Sequence, residues 1–293
     1  MNKIKRKIGK ISIFSIIIFI ILALYVVSLI VPLLWGFLTS FKSRGDYVMN
    51  MYGFPEEFKW KNYVTAFEYF KVDTEKNGTV YIEGMLLNTL LYAGGCAFFQ
   101  VFFNCIAGYC CAKFSRFAIT SVYTGIVLVA MALPIVGAQA SELTMMINLN
   151  LYDSFLGVWI MKMNFMGIYY LIFLETFRAI PKDYSEAAYI DGAGNFTLFF
   201  KLMLPFVSKT FLTVMLIYFI GYWNDYQLPL LYLPSYPTLA YGLYKYSFSL
   251  EPKISSVPMK MAGCMILFVP IFTVFVCLQK QLIGNVQMGG LKG

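Results

Sequence analysis

A polar, helix-forming segment between two long apolar runs holds the residues most suited to chemistry. Its residues are Glu186-Ala187-Ala188-Tyr189-Ile190-Asp191-Gly192, with Leu202, Leu204 and Pro205 beyond. The composition predicts a short helix capped by Asp183 or Ser185, and Gly192 permits either a turn after it or the close approach of another backbone. A carboxylate on such a rigid knob suits docking into a groove on a partner protein. A re-entry loop without a partner explains the same pattern about equally well.

Groups for catalysis are scarce. The chain has no histidine and no GxxxxGK[ST] phosphate loop, so acid–base chemistry and nucleotide binding of that kind lack candidates. Only three carboxylates, Glu142, Glu175 and Asp225, lie within the predicted spans, which disfavours an ion-driven pump. The six cysteines fall in apolar runs without metal-ligand spacing and are expected to pack as small apolar residues: Cys96, Cys105, Cys110, Cys111, Cys264 and Cys277. We therefore expect no enzyme, no metal and no cofactor in this chain.

Composition points to a membrane protein. Of the 293 residues 59% are hydrophobic and 13% are charged, about half the charged fraction of soluble domains. Six runs are long enough to cross the bilayer as helices: about 11–38, 86–112, 117–147, 157–177, 206–233 and 259–283. The first is too long for a signal peptide and lacks a small-residue cleavage site. The predicted fold is an all-α polytopic membrane protein with a single transmembrane domain over residues 1–293.

The distribution of positive charge predicts the orientation. With the N-terminus inside, 13 of the 23 Lys and Arg residues lie on the cytoplasmic side, in the two terminal segments and the inner loops. This arrangement follows the positive-inside rule, so both termini are expected in the cytoplasm. The net charge of +8 then reflects topology, and nucleic-acid binding is not expected.

Three features outside the polar segment concern packing. Residues 40–83 form the one sizeable extramembrane stretch and are expected to pack as a small helical cap, with a turn at 73–78. A stripe of mostly small residues on the second span is expected to let a neighbouring helix approach closely: Ala93, Ala97, Val101, Asn104, Gly108 and Ala112. Pro134 and Pro270 each remove a backbone donor and are expected to kink the third and sixth spans.

The order Glu-Ala-Ala, three residues, Gly, nine residues, an aliphatic residue, one residue, Leu-Pro resembles the signature loop of bacterial ABC-importer permeases. The wider stretches FRAIPKDYSEAAYIDGAG (177–194) and GYWNDYQLPLLYL (221–233) and the glycine-rich end at 289–293 are similar to the carbohydrate-uptake branch. Within it, the chain resembles the second permease subunit of maltose-type transporters. One departure is Ser141, followed by Glu142, where the branch usually has a second proline.

The resemblance implies a coupling loop, residues 178–205, which enters a cleft of a separate ATPase subunit. Its implied contact residues are Glu186, Ala187, Ala188, Gly192, Leu202, Leu204 and Pro205, and the tail residues Gly289, Gly290 and Lys292 would reach the ATPase interface. The implied partners are a second permease, an ATPase dimer that binds ATP and Mg²⁺, an extracytoplasmic solute-binding protein, a sugar and membrane lipid. The implied location is the bacterial inner membrane.

Polar residues in the spans are candidates for the translocation path. We expect Asn224, Asp225, Tyr222 and Trp223 to line it, with Gln139 and Asn104 (and Gln100) as weaker candidates. Hydrogen bonding between helices is the alternative role for these residues. The outer loop Pro234–Pro258 carries several aromatic residues suited either to stacking on sugar rings or to anchoring in lipid.

Three alternatives stay open at this point. The solute could be a polyol or glycerol phosphate rather than a sugar. The chain could be half of an ion-coupled secondary transporter, which would work without an ATPase. It could also be a membrane scaffold with no pathway, in which case reversing the charge of Glu186 would leave uptake intact.

Overall fold

The computed structural model describes residues 13–133 and 137–286 and divides the chain into two compact units. The first comprises the described part of Met1–Tyr69 with Ser247–Ile266, and the second comprises Phe70–Tyr246 with the described part of Leu267–Gly293. The elements are α1 (Ile13–Ser40), α2 (Arg44–Met49), α3 (Lys61–Tyr69), β1 (Lys71–Thr74), β2 (Gly78–Tyr81), α4 (Ile82–Lys113), α5 (Ala118–Ala132), α6 (Gln139–Asn148), α7 (Phe155–Met161), α8 (Ile168–Arg178), α9 (Asp183–Ile190), α10 (Asn195–Thr197), a π-helix (Leu198–Met203), α11 (Leu204–Phe206), α12 (Ser208–Trp223), α13 (Gln227–Tyr232), α14 (Leu239–Ser247) and α15 (Val257–Val286).

In the first unit, a long apolar helix ends in an aromatic cluster. Helix α1 is almost wholly exposed until its last turn, where an added Cβ on Gly36 would lie 3.4 Å from the Met265 side chain of α15. Phe41 follows α1 and is buried against Phe58, Trp60 and Tyr63. These ring contacts hold α3 and the residues before it beside the end of α1. The part of the predicted cap that belongs to this unit therefore contains two helices, α2 and α3, as expected.

The rest of the predicted cap belongs to the second unit and is a β-hairpin. Strands β1 and β2 pair antiparallel, with Val72 opposite Val80 and Thr74 opposite Gly78. The Thr74 hydroxyl accepts from the Asn77 amide, and Gly78 has φ +65, a left-handed conformation that glycine adopts without strain. The turn predicted at residues 73–78 is thus confirmed, while β-branched residues on either side make strands instead of helices.

Helix α4 is the centre of the second unit. It packs against both α8 and α12, and the small-residue face predicted from sequence is buried, apart from half-buried Ala112. At Gly108 an added Cβ would lie 2.7 Å from Phe173 Cβ and 2.9 Å from the Leu174 backbone nitrogen of α8. The close approach predicted for this stripe is therefore confirmed, since only hydrogen fits there.

Several predicted spans are interrupted. Among the described residues, α1, α4 and the first part of α15 (Val257–Cys277) are individually long and apolar enough to cross a membrane. Residues Asn195–Phe206 and Ser208–Trp223 could count as one further broken span, bent by 74°. Instead of continuous helices, the runs 117–147, 157–177 and 206–233 contain the pairs α5/α6, α7/α8 and α12/α13. Pro134 lies outside the described residues, and α15 runs through Pro270.

Candidate functional site

Helix α9 forms the exposed knob of the coupling loop. It starts beyond the break at Pro181, and its N-cap is Lys182, which makes no side-chain capping bond. The prediction of Asp183 or Ser185 as N-cap is wrong, because the helix begins earlier and places both residues inside it. Asp183 and Glu186 instead lie in the first turn, where carboxylates interact favourably with the positive end of the helix dipole.

The two alanines after Glu186 have different roles. Ala188 packs against a buried apolar cluster that includes Phe177, Leu198 and Met203. Ala187 and Glu186 are exposed, and Ile190 at the end of the helix is 86% exposed. One face of α9 therefore rests on the membrane domain, and the opposite face exposes a carboxylate and an aliphatic side chain.

Gly192 ends this helix with a Schellman motif. Its φ is +81, and its amide donates to the Tyr189 carbonyl at 3.0 Å while the Ala193 amide donates to the Ala188 carbonyl at 2.9 Å. A Cβ on Gly192 would meet no described atom within 4 Å, so the requirement is for backbone conformation and not for space. The turn predicted at Gly192 is confirmed.

The second half of the signature serves mainly as support. Leu202 and Leu204 pack against the same apolar cluster as Ala188, whereas Pro205 is exposed. The π-helix Leu198–Met203 precedes Pro205, and the Leu204 amide donates to the Phe199 carbonyl. Because proline has no amide hydrogen, it suits the point where the chain changes direction before α12.

A cleft of about 340 Å³ lies beside α9. The ends of α4 and α8 form its other walls, and its charged lining residues are Lys113, Arg178, Lys182 and Glu186. Arg178 is paired with Glu175 at 2.7 Å. Among the described residues Glu186 takes part in no ion pair within 4.0 Å, which leaves its charge available to a partner. The predicted tail residues Gly289, Gly290 and Lys292 lie outside the described residues.

A second polar group surrounds the break between α12 and α13. Asp225 accepts hydrogen bonds from the Tyr92 hydroxyl of α4 at 2.8 Å and from the amides of Gln227 and Leu228 at 3.0 and 3.2 Å. It thereby holds the start of α13 against α4. Asn224 is exposed and donates to the Ile220 carbonyl at 2.8 Å.

The other predicted path residues separate into distinct environments. Tyr222 donates to the Gln100 side chain, and buried Asn104 donates to the backbone carbonyls of Gln100 and Asn164 at 2.7 and 2.9 Å. The Trp223 ring is only 2% exposed, so it contributes to packing. Exposed Gln139 is in a different group, where its carbonyl accepts from the Tyr232 hydroxyl at 3.3 Å.

Two residues of this polar group were missed by sequence reasoning. Tyr92 precedes Gln100 and Asn104 by eight and twelve residues, so a helix places all three on one face, and that spacing could have identified it. Lys162 lies within the run 157–177, and its Nζ is 5.7 Å from the centre of the Tyr222 ring. A charged residue inside an apolar run was the available signal.

The aromatic residues of the loop 234–258 are mostly structural. Tyr241 and Tyr246 are buried in α14, and Tyr236 packs against Phe155 at 5.0 Å. Burial, and then the neighbouring Tyr152, raise the pKa of Tyr241 above its ordinary value. The Phe248 ring is 72% exposed. The rings of Tyr241 and Tyr246 are therefore too buried to stack on a sugar, whereas the ring of Phe248 is accessible.

The long apolar helices among the described residues indicate a polytopic membrane protein. Residues 104–286 match the family of binding-protein-dependent transport system inner membrane components, and the chain belongs to this family. It is a multi-pass permease subunit of an ABC importer in the inner membrane, and it is not an enzyme. The resemblance to the carbohydrate-uptake branch is confirmed by its relatives.

Two curated relatives cover most of the chain. The diacetylchitobiose uptake system permease protein of Streptomyces coelicolor is 26% identical and aligns with 94% of this chain and 88% of its own length. The arabinooligosaccharides transport system permease protein of Bacillus subtilis is 25% identical, with 82% and 81% coverage. In fold, the chain is similar to a bacterial ABC transporter involved in the import of the acidic polysaccharide alginate. That match has a TM-score of 0.75 and 18% identity and covers 96% of this chain and 99% of the other.

Proposed function

We propose that this chain forms half of the translocation pathway for a sugar or oligosaccharide delivered by an extracytoplasmic binding protein. The observation that carries the proposal is the α9 knob, which rests on the membrane domain through Ala188 and exposes Glu186 and Ile190. The printed functions of the relatives, uptake of diacetylchitobiose and of arabinooligosaccharides, support a carbohydrate as the solute.

In this proposal α9 docks into a cleft of an ATPase subunit, where Glu186 meets a basic residue. A buried, well-oriented ion pair across such an interface tolerates no reversal of charge, since like charges then face each other. ATP and Mg²⁺ are bound by the ATPase dimer, and this chain holds no cofactor. The tail residues Gly289, Gly290 and Lys292 add contacts at the ATPase interface.

The proposed topology has six membrane-spanning segments and both termini in the cytoplasm. The interrupted runs cross as helix pairs, which is tolerated where irregular backbone is buried in protein or lines a wet cavity. A second permease completes the pathway. Asn224, Asp225, Tyr222, Asn104 and Gln139 supply polar groups along it, and Trp223 supports the wall from behind.

The test is reconstitution of the complex purified through this subunit, with its binding protein, in lipid vesicles. We expect uptake of a mono- or oligosaccharide that requires ATP and survives collapse of ion gradients. Glu186→Lys should reduce uptake to background while the protein still inserts. Glu68→Lys, which reverses an exposed charge on α3, is the matched control and should keep normal uptake.

Three results would contradict the proposal. Normal uptake by Glu186→Lys would contradict the proposed role of α9 in coupling to the ATPase. Uptake without any ATPase would indicate a secondary transporter. Uptake of glycerol phosphate or a polyol, with no sugar carried, would assign a different solute class.

A further inference from the structure

The last residue of α4 contacts the coupling loop directly. Lys113 Nζ donates a hydrogen bond of 2.7 Å to Asn195 Oδ1, across 82 positions of sequence. The same ammonium lies 5.4 Å from the centre of the Tyr189 ring and 5.5 Å from that of Tyr109. A cation over an aromatic face is attracted by the ring quadrupole, so these contacts reinforce the hydrogen bond.

Asn195 is a shared acceptor for two elements. Its Oδ1 also accepts from the Tyr189 hydroxyl of α9 at 2.9 Å. Because a lysine ammonium has only donors, the asparagine atom facing it must be the oxygen, and the tyrosine hydroxyl must also donate. Lys113, Tyr189 and Asn195 thus join α4, α9 and α10 in one polar cluster, which we call the tether.

Helix α9 is bounded by a helix break at one end and a turn at the other, and the tether adds a side-chain connection between them. At its N-terminal end α9 follows a break at Pro181, and at its C-terminal end it leads into the turn at Gly192. Helix α9 has no fully buried residue of its own. The Tyr184 ring of α9 also packs against Phe206 of α11 at 5.1 Å, and Ala188 packs on the apolar cluster. The tether adds polar contacts between α9 and the end of the central helix α4.

Helix α4 also carries the polar contacts of the proposed path. Tyr92 bonds to Asp225 and Gln100 bonds to Tyr222 on the same helix that ends at Lys113. We propose that Lys113 is the positioning residue that makes α9 move with α4. A displacement of α9 is then transmitted through α4 to the proposed translocation path. This inference rests on the proposed function. The competing explanation is a simple interaction of Lys113 with the negative end of the α4 dipole.

The experiment compares single and double variants of the reconstituted complex. Lys113→Met removes the ammonium but keeps a long apolar stem, Asn195→Ala removes the acceptor, and Lys113→Arg keeps the charge. Hydrogen exchange over Asp183–Ile190 and solute transported per ATP hydrolysed are measured. Arg116→Met, which removes a nearby exposed cation, controls for the loss of one positive charge.

We expect Lys113→Met and Asn195→Ala each to speed exchange in α9 and to lower transport per ATP about fivefold, as for loss of one partly exposed charge-assisted hydrogen bond. The double variant should lose less than the sum of the two single losses, because both single variants break the Lys113–Asn195 bond. For Lys113→Arg and Arg116→Met, hydrogen exchange in α9 and transport per ATP should stay close to those of the parent protein. If Lys113→Met fails to insert, Asn195→Ala provides the same test with the charge retained.

Two outcomes would overturn the inference. If hydrogen exchange in α9 is as slow in both Lys113→Met and Asn195→Ala as in the parent protein, the tether does not hold the helix. Faster exchange with unchanged transport per ATP would show that it plays no part in coupling. Neither outcome concerns docking of α9 on the ATPase, which is tested separately by Glu186→Lys.

Discussion

At the scale of single residues, steric fit explains the glycine in the small-residue face of α4. Gly108 lies against the backbone of α8, where the nearest atoms to an added Cβ are Phe173 Cβ and the Leu174 nitrogen. Backbone atoms in a packed helix cannot move aside as a flexible side chain can. Gly94 is on the same helix, and an added Cβ there would meet no described atom within 4 Å.

This contrast predicts different effects for one substitution at two positions. Gly108→Ala should destabilise the permease by about 1–3 kcal/mol, because α4 and α8 must separate to admit the methyl group. Gly94→Ala should be neutral or slightly stabilising, since alanine has the higher helix propensity. Thermal unfolding of the detergent-solubilised complex measures both. Equal stability of the two variants would contradict the close packing of α4 and α8.

At the scale of elements, polar residues mark the points where the predicted spans break. The run 157–177 is interrupted by the segment 162–167, which contains Lys162 and ends in Gly167 at φ +136. The run 206–233 is interrupted at 224–226, where Asp225 bonds to the first amides of α13. Each break exposes backbone groups that local side chains satisfy, as required inside a membrane.

The bond between Tyr92 and Asp225 is expected to hold the α12–α13 break against α4. Tyr92→Phe keeps the buried ring and removes the hydroxyl, so Asp225 loses one of its three donors. We expect a loss of stability of about 0.5–2 kcal/mol, the range found for interhelical hydrogen bonds in membranes, measured by thermal unfolding. Tyr25→Phe, on the exposed surface of α1, is the matched control and should unfold with the parent. If Tyr92→Phe unfolds at the same temperature as the parent protein, the Tyr92–Asp225 bond does not stabilise the α12–α13 break.

At the scale of the whole molecule, the proposed topology places the β-hairpin and the α4–α5 loop on opposite sides of the membrane. We expect a membrane-impermeant maleimide to label Glu75→Cys in intact cells with a permeable outer layer, and Ser115→Cys only after the inner membrane is opened. Both positions are exposed. The native cysteines must first be replaced, because Cys110 and Cys277 are exposed as well. Labelling of Ser115→Cys in intact cells would contradict cytoplasmic termini.

Local signals made much of this protein predictable. The hairpin turn, the helix of the coupling loop and its end at Gly192 depend on a few adjacent residues, so the sequence was sufficient for them. The family motif of the coupling loop depends on short spacings for the same reason. The prediction of the α9 N-cap was wrong because helix starts shift by a residue or two with little energetic consequence.

What the sequence by itself determined is therefore the chemical character of each segment: which runs are apolar, which turn needs glycine, and which short helix carries a carboxylate. Only the tertiary structure decided which residues meet, as with Lys113 and Asn195 or Tyr92 and Asp225, and which alanine of the motif faces inward. Those pairings depend on how distant helices pack, because a hydrogen bond needs its two atoms within about 3 Å of each other and no local pattern encodes that distance.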